Sequence, residues 1–246
     1  MSDIISAFAV GISETVIGHP FNTAKVLLQN KKKWWGLPLK HYYRGVKYPL
    51  ASGTFFNMTV FPIKERTYKY TNNYFLSGVI AGVIVSPAMF FVDTFTIKRQ
   101  TNQSVGLSMF KGSKGFQSTL SREMVALSTY FGVYHWMRDN KQYNSLISGG
   151  TAGLANWTLS YPIDVIRSRQ IAQRITIKEA INMKKFWGGF SIAATRAIIV
   201  NAISFTVFEN CKQYFDLKFK LPITFNFDVT PFLTFFKIFI HVSNTS

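Results

Sequence analysis

The hexapeptide PIDVIR at residues 162–167 decides the fold, because two altered copies of it occur earlier in the chain. The first copy is PFNTAK at residues 20–25, and the second is FVDTFT at residues 91–96. The positions that keep a common spacing of 71 residues are Asn22, Asp93 and Asp164; Lys25, Thr96 and Arg167; and Gly11, Gly82 and Gly153. Several matches in one register indicate tandem repeats of one structural unit.

A second element follows each hexapeptide and combines an aromatic residue, a basic residue and glycine. Its copies are YRG at residues 43–45, FKG at 110–112 or KG at 114–115, and FWGG at 186–189, where Trp187 takes the basic position. The sequence therefore divides into repeats at residues 1–72, 73–143 and 144–214. A tail at residues 215–246 has no counterpart in the repeats.

Apolar runs predict two helices in each repeat. The six predicted helices occupy residues 5–30, 48–70, 74–100, 117–138, 145–170 and 190–214. Each has about 20 residues or more, which is enough to cross ~30 Å of hydrocarbon at ~1.5 Å per residue. Charged residues recur inside these helices, and we expect them to face a bundle interior or a water-filled cavity.

The charge of the chain is strongly basic, with 28 Lys and Arg against 11 Asp and Glu. Such a chain either binds nucleic acid or lies in a membrane with its basic residues in the loops. Charged residues make up 16% of the chain and aromatic residues another 16%, which favours the membrane and argues against a nucleic-acid partner. The basic loops that join the two helices of each repeat should face the negatively charged compartment.

The sequence contains no motif typical of a catalytic site or a metal site. The single cysteine, Cys211, excludes an internal disulfide framework. The four histidines lack metal-ligand spacing, and we find neither a nucleophile–base arrangement nor a glycine-rich phosphate loop. The sequence therefore predicts a protein that is not an enzyme and that needs no cofactor or metal.

These motifs resemble the signature of the mitochondrial carrier family over about residues 5–214. The resemblance implies an all-α membrane protein with six transmembrane helices, arranged as three pseudo-threefold two-helix repeats around a central cavity. It also implies a monomeric, multi-pass transporter of the mitochondrial inner membrane, whose basic loops face the matrix. Its partners would be a small anionic solute and membrane lipid, with cardiolipin on the matrix side.

The family resemblance further implies a matrix gate, in which the acid of each odd-numbered helix meets the base of the next odd-numbered helix. The pairs that follow here are Asp93 with Arg167, Asp164 with Lys25, and Asn22 with Thr96. Asn22 and Thr96 replace the family's acid and base, and Phe91 replaces its proline. Because both charges of the third pair are lost together, no buried charge is stranded, and we expect Asn22 and Thr96 to hydrogen-bond as a neutral pair.

A cytoplasmic gate at the opposite mouth is implied in the same way by the ends of the even-numbered helices. Its members here are Glu65, Tyr68, His135, Arg138, Glu209 and Lys212. Glu65 should form a full ion pair with Arg138. Glu209 would meet Tyr68, or Lys69 if the helix rotates, and Lys212 would meet His135. This gate should open comparatively easily.

The substrate contacts of the family fall on the even-numbered helices near mid-height. They correspond here to Ser52, Gly53, Arg122, Glu123 and Arg196. Two arginines facing one cavity predict a ligand with an anionic end, because a guanidinium offers two parallel donors to a carboxylate or phosphate. The alternative interpretation of Arg122 and Glu123 is a structural ion pair between helices.

Three hypotheses about the substrate remain open. The basic chain, and residue usage typical of an AT-rich genome, favour exchange of nucleotides or deoxynucleotides, which a virus could draw from host mitochondria. The acid that follows Arg122 is instead typical of carriers for amino acids and carnitine-like zwitterions. A scaffold that no longer transports is the third hypothesis, and the two intact matrix pairs argue against it.

Overall fold

The structure is a computed structural model that describes residues 2–106, 114–143 and 145–196, together with Ile199, Val200, Ile203, Val207 and Asn210. Helices account for all regular structure in these residues. The long helices are α1 (Ser2–Gln29), α3 (Lys47–Thr71), α4 (Tyr74–Gln100), α5 (Phe116–His135) and α6 (Ser145–Gln173). Two short ones, α2 (Leu39–Tyr42) and α7 (Ile177–Asn182), lie in the loops between α1 and α3 and after α6. A last helix, α8, occupies residues 190–196, and its further described positions up to Asn210 are also helical.

The predicted helices agree with this order, and the shared boundaries differ by a few residues. The predicted helix at residues 117–138 is observed as α5, which ends at His135, and a π-helical turn, Trp136–Asn140, that follows it directly. Phe110, Lys111 and Gly112 lie outside the described residues, as do most residues of the predicted sixth helix. An all-helical fold is therefore observed in the described residues, whereas the complete ring of six helices stays a prediction.

Helix α4 has the character of a membrane span. It is the one helix, among the described parts of the chain, that is both long and apolar enough to cross a membrane. Its large exposed apolar side chains recur at helical spacing and form one outer stripe: Phe75, Leu76, Val83, Ile84 and Phe91. A stripe of this kind suits contact with lipid tails.

Helices α4 and α5 approach each other closely through glycine. A Cβ atom added to Gly78 would lie 2.5 Å from the Leu127 carbonyl oxygen, and one added to Gly82 would lie 2.7 Å from the Met124 nitrogen. Small residues permit such backbone contact between membrane helices. An apolar cluster joins α3 to the same contact and contains Val60, Ala81, Val85, Leu127 and Phe131.

The side with the basic loops is held together by polar contacts at the end of α6. The buried Arg169 guanidinium donates to three carbonyl oxygens, those of Gln29 at 3.0 Å, Ala180 at 3.0 Å and Lys185 at 3.2 Å. It thereby ties the end of α1 to α7 and to the loop that follows. Helix α7 begins with a capping box between Thr176 and Glu179.

The contact at Gly78 generates a prediction about stability. Gly78→Ala should lower the stability of the protein by about 1–3 kcal/mol, because the new methyl group meets backbone atoms that cannot move without separating α4 from α5. Gly11→Ala is the matched control, since a Cβ at Gly11 has nothing within 4 Å. Thermal unfolding in detergent measures both, and equal unfolding temperatures would contradict the close contact.

Candidate functional site

A buried charge network joins α1, α4 and α6, the first, third and fifth of the predicted helices, on the side of the basic loops. The Lys25 ammonium of α1 donates to Asp164 of α6 at 2.8 Å. The Arg167 guanidinium, also on α6, donates to Asp93 of α4 and, at 2.6 Å, to Asp164. The structure therefore brings together the two ionic pairs that the sequence paired, and it adds the contact within α6.

Gln29 is a member of this network that the sequence analysis did not identify. Its amide nitrogen donates to Asp164 at 3.2 Å, on the same oxygen that accepts from Lys25. Asp164 thus serves donors from Lys25, Gln29 and Arg167. The 71-residue period offered a signal, because Gln100 occupies the corresponding position of the second repeat.

At the third predicted pair of the matrix gate, Asn22 with Thr96, the structure has a cavity. We call this position the third corner of the network. The Thr96 hydroxyl donates to the Val92 carbonyl of its own helix at 2.7 Å. The predicted hydrogen bond between Asn22 and Thr96 is not formed in this structure. Both residues instead line a cavity of about 310 Å³. Thr96 is shorter than the lysine or arginine at the equivalent positions, so it leaves space that a longer base would fill.

The Arg122–Glu123 pair on α5 extends the network towards the predicted substrate site. Glu123 is buried, with 1% of its surface exposed, and its carboxylate accepts a hydrogen bond from Arg122. The same carboxylate oxygen lies 3.9 Å from a terminal nitrogen of Arg167. Arg122, Glu123 and Arg167 therefore form one chain of neighbouring charges, which continues to Asp93 and Asp164. The pair contacts the gate, which the sequence analysis did not predict.

The other predicted substrate residues lie on different helices. Ser52 of α3 lines the cavity together with the gate residues, and Gly53 is the next residue of that helix. The Arg196 guanidinium of α8 donates to the Gly18 carbonyl of α1 at 3.3 Å. The five residues therefore do not form one contact set, and a ligand would have to bridge them.

The opposite mouth differs from the prediction. Glu65 accepts from its neighbour Lys64 at 2.5 Å, whereas Arg138 is exposed on the π-helical turn. The predicted Glu65–Arg138 ion pair is thus not formed in this structure. In a π-helical turn the backbone hydrogen bonds join residues i and i+5, which changes the direction in which the following side chains project. Arg138 lies on this turn and does not reach Glu65, which pairs with Lys64 instead.

Aromatic stacking joins α3, α4 and α5 at this mouth. The Tyr74 ring stacks on Tyr68 at 3.7 Å and on His135 at 3.4 Å between ring centroids. The Lys64 ammonium lies 3.5 Å from a His135 ring nitrogen. Glu209 and Lys212 lie outside the described residues, so their predicted partners stay predictions.

Asp164 generates a prediction that separates the members of the network. Asp164→Asn should lower stability by about 3–5 kcal/mol, because it removes the acid that serves Lys25 and Arg167 inside the protein. Lys25→Met should cost less, since Asp164 keeps Arg167 and Gln29 as donors. Thermal unfolding in detergent compares the two variants. A Lys25 variant that is as unstable as the Asp164 variant would contradict the central position of Asp164.

Comparison with known proteins agrees with the motifs. The family model for mitochondrial carrier proteins matches residues 138–219. A mitochondrial basic amino acids transporter of Bos taurus is 26% identical over 68% of this chain and 72% of its own length. A mitochondrial arginine transporter of Arabidopsis thaliana is 26% identical over 81% of this chain and 86% of its own length. A mitochondrial substrate carrier family protein of Dictyostelium discoideum is 27% identical over 87% of this chain and 96% of its own length.

Proposed function

We propose that this chain, a multi-pass transporter of the mitochondrial inner membrane whose matches support the mitochondrial carrier family, carries basic amino acids such as arginine. It is a transporter and not an enzyme. The relatives favour the amino-acid hypothesis of the sequence analysis. They give no support to the nucleotide substrate, or to the viral origin, that the analysis weighed with it.

The observation that carries this proposal is the buried pair of opposite charges on α5. Arg122 and Glu123 are adjacent and bonded to each other, and the Glu123 carboxylate is 1% exposed. A basic amino acid offers the complementary charges, because its carboxylate fits a guanidinium and the cation of its side chain fits Glu123. A polyphosphate would instead place several negative charges beside a buried carboxylate, which costs free energy.

The contact between Glu123 and Arg167 suggests how binding connects to the gate. Arg167 holds Asp93 and Asp164 and lies 3.9 Å from the Glu123 carboxylate. A substrate cation that binds Glu123 repels Arg167 and draws the carboxylate away from it. The gate would then lose part of its electrostatic stabilisation when substrate is bound, which is the coupling that alternating access requires.

The second arginine of the site has a defined role in this proposal. Arg196 reaches α1 at the Gly18 carbonyl, and a guanidinium with one backbone acceptor retains further donors for a carboxylate. The amino acid would thus lie between α5 and α8, with its cation at Glu123 and its carboxylate shared by the two arginines. Ser52 and Gly53 of α3 complete the predicted set.

The proposal predicts the outcome of an uptake experiment with purified protein in liposomes. Arginine, lysine and ornithine should be taken up saturably, whereas nucleotides, carnitine esters and keto acids should not. Glu123→Gln should lower arginine uptake about tenfold or more, because it removes a charge-assisted hydrogen bond worth roughly 1.5–3 kcal/mol. The ratio of arginine to citrulline uptake should fall as well, since citrulline lacks the cationic side chain.

The matched control is Glu179→Gln, which makes the same chemical change in the exposed capping box of α7. Glutamine can also serve in a capping box, so uptake should stay near that of the unchanged protein. The uptake ratio separates a binding effect from loss of folded protein. Saturable nucleotide exchange without arginine uptake would overturn the proposed substrate.

A further inference from the structure

The cavity at the third corner of the charge network is lined by unsatisfied polar groups. Both amide atoms of Gln100 are buried, and neither has a hydrogen-bond partner among the described residues. The side-chain oxygen of Gln29 is also buried without a partner in this part of the chain. Buried polar groups are normally hydrogen-bonded, so these atoms mark a place where a polar ligand or water is expected. Gln29 and Gln100 both line the cavity.

This corner offers oxygen atoms that can accept a hydrogen bond, beside two donors that are unpaired among the described residues, the Gln100 amide nitrogen and Arg167 Nε. The two cations of the lining, Lys25 and Arg167, are already held by Asp164 and Asp93. Gln29 and Gln100 each present an amide oxygen, and the Asp93 carboxylate, which holds Arg167 through one oxygen, keeps a second. Its side chain is 19% exposed towards the space that it lines. The Thr96 hydroxyl gives its hydrogen to Val92 and keeps lone pairs. A cation with several N–H donors is the ligand that such a set of oxygens complements.

We infer that this cavity is a second subsite, which binds the cationic group of the substrate. It lies at the position of the matrix gate where Thr96 replaces a basic residue. The inference rests on the proposed function, because it assumes that the substrate is a basic amino acid. The substrate itself completes the third corner as it passes the gate. A guanidinium or ammonium group contacts Asp93, Gln29 and Gln100 there, between the two ionic pairs that close the other corners.

The size and position of the cavity suit this role. A volume of about 310 Å³ lies at the lower end of the range for small-molecule sites, roughly 300–1,000 Å³. Ser52, a predicted substrate residue, lines the same cavity as Asn22 and Thr96. Ser52 therefore connects the subsite with the predicted substrate residues.

Two single substitutions of opposite charge test the subsite. Asn22→Asp adds a negative charge to the cavity, and Thr96→Lys places a positive charge there. If the ligand is a cation, Asn22→Asp should lower the KM of arginine and Thr96→Lys should raise it. Each change should be about tenfold, which corresponds to the free energy of one charge-assisted hydrogen bond. KM is measured in liposomes from the side that corresponds to the matrix.

A third substitution removes the unsatisfied amide without changing charge. Gln100→Leu should raise the KM of arginine while the maximal rate changes less, because it deletes an acceptor of the cation. Gln117→Leu is the matched control, since Gln117 is exposed on α5 and does not line the cavity. Its KM should equal that of the unchanged protein.

The outcomes distinguish the subsite from the proposed function. If the unchanged protein carries arginine but Asn22→Asp and Thr96→Lys shift KM in the same direction, or change only the maximal rate, the cavity holds water alone and the subsite is wrong. The proposed function would stand in that case. If the unchanged protein carries no basic amino acid, the proposed function fails and the subsite fails with it. Opposite shifts of the predicted sign support both.

Discussion

The position of Arg167 constrains the bundle more than any other side chain in the described residues. Its guanidinium bonds to Asp93 of α4 and Asp164 of α6, and it lies 3.9 Å from Glu123 of α5. Asp164 in turn holds Lys25 of α1. Each of these charges is costly to bury alone and tolerable only beside its partners. The four helices must therefore meet at a distance and rotation that keep all the contacts, and the cavity is the space that this arrangement leaves.

Part of this network could be predicted from the sequence, because a fixed period places the acid and the base of each repeat at equivalent positions. Which acid meets which base was implied by the family resemblance, and the structure agrees for Asp164 with Lys25 and for Asp93 with Arg167. Glu123 reaching Arg167 could not be predicted, because it depends on the rotation of α5. The failure of Glu65 to meet Arg138 has a similar cause. A π-helical turn follows α5, and such a turn leaves no clear mark in composition.

The proposed substrate illustrates why the charge of a whole chain is a poor guide to a transport site. Many of the basic residues lie in loops between the long helices, as Lys31, Lys32 and Lys33 do, and loop charge of this kind influences orientation in the membrane. The nucleotide hypothesis depended on that total charge. The two residues at the site, Arg122 and Glu123, carry opposite charges, and the relatives agree with this local chemistry rather than with the total.

The two mouths of the bundle are held by different kinds of contact, and the difference has a consequence for the transport cycle. Ionic pairs close the side of the basic loops across separate helices, whereas at the opposite mouth Lys64 meets Glu65 within one helix. With the basic loops in the matrix, as the sequence predicts, the described residues correspond to a state closed towards the matrix. Leaving this state requires separating two buried ion pairs, and the neutral third corner reduces the number from three. In the proposed cycle, a basic amino acid that offers its cation to Glu123 and then to the cavity would replace part of what is lost, so that free energy from binding, and not thermal motion alone, would open the gate.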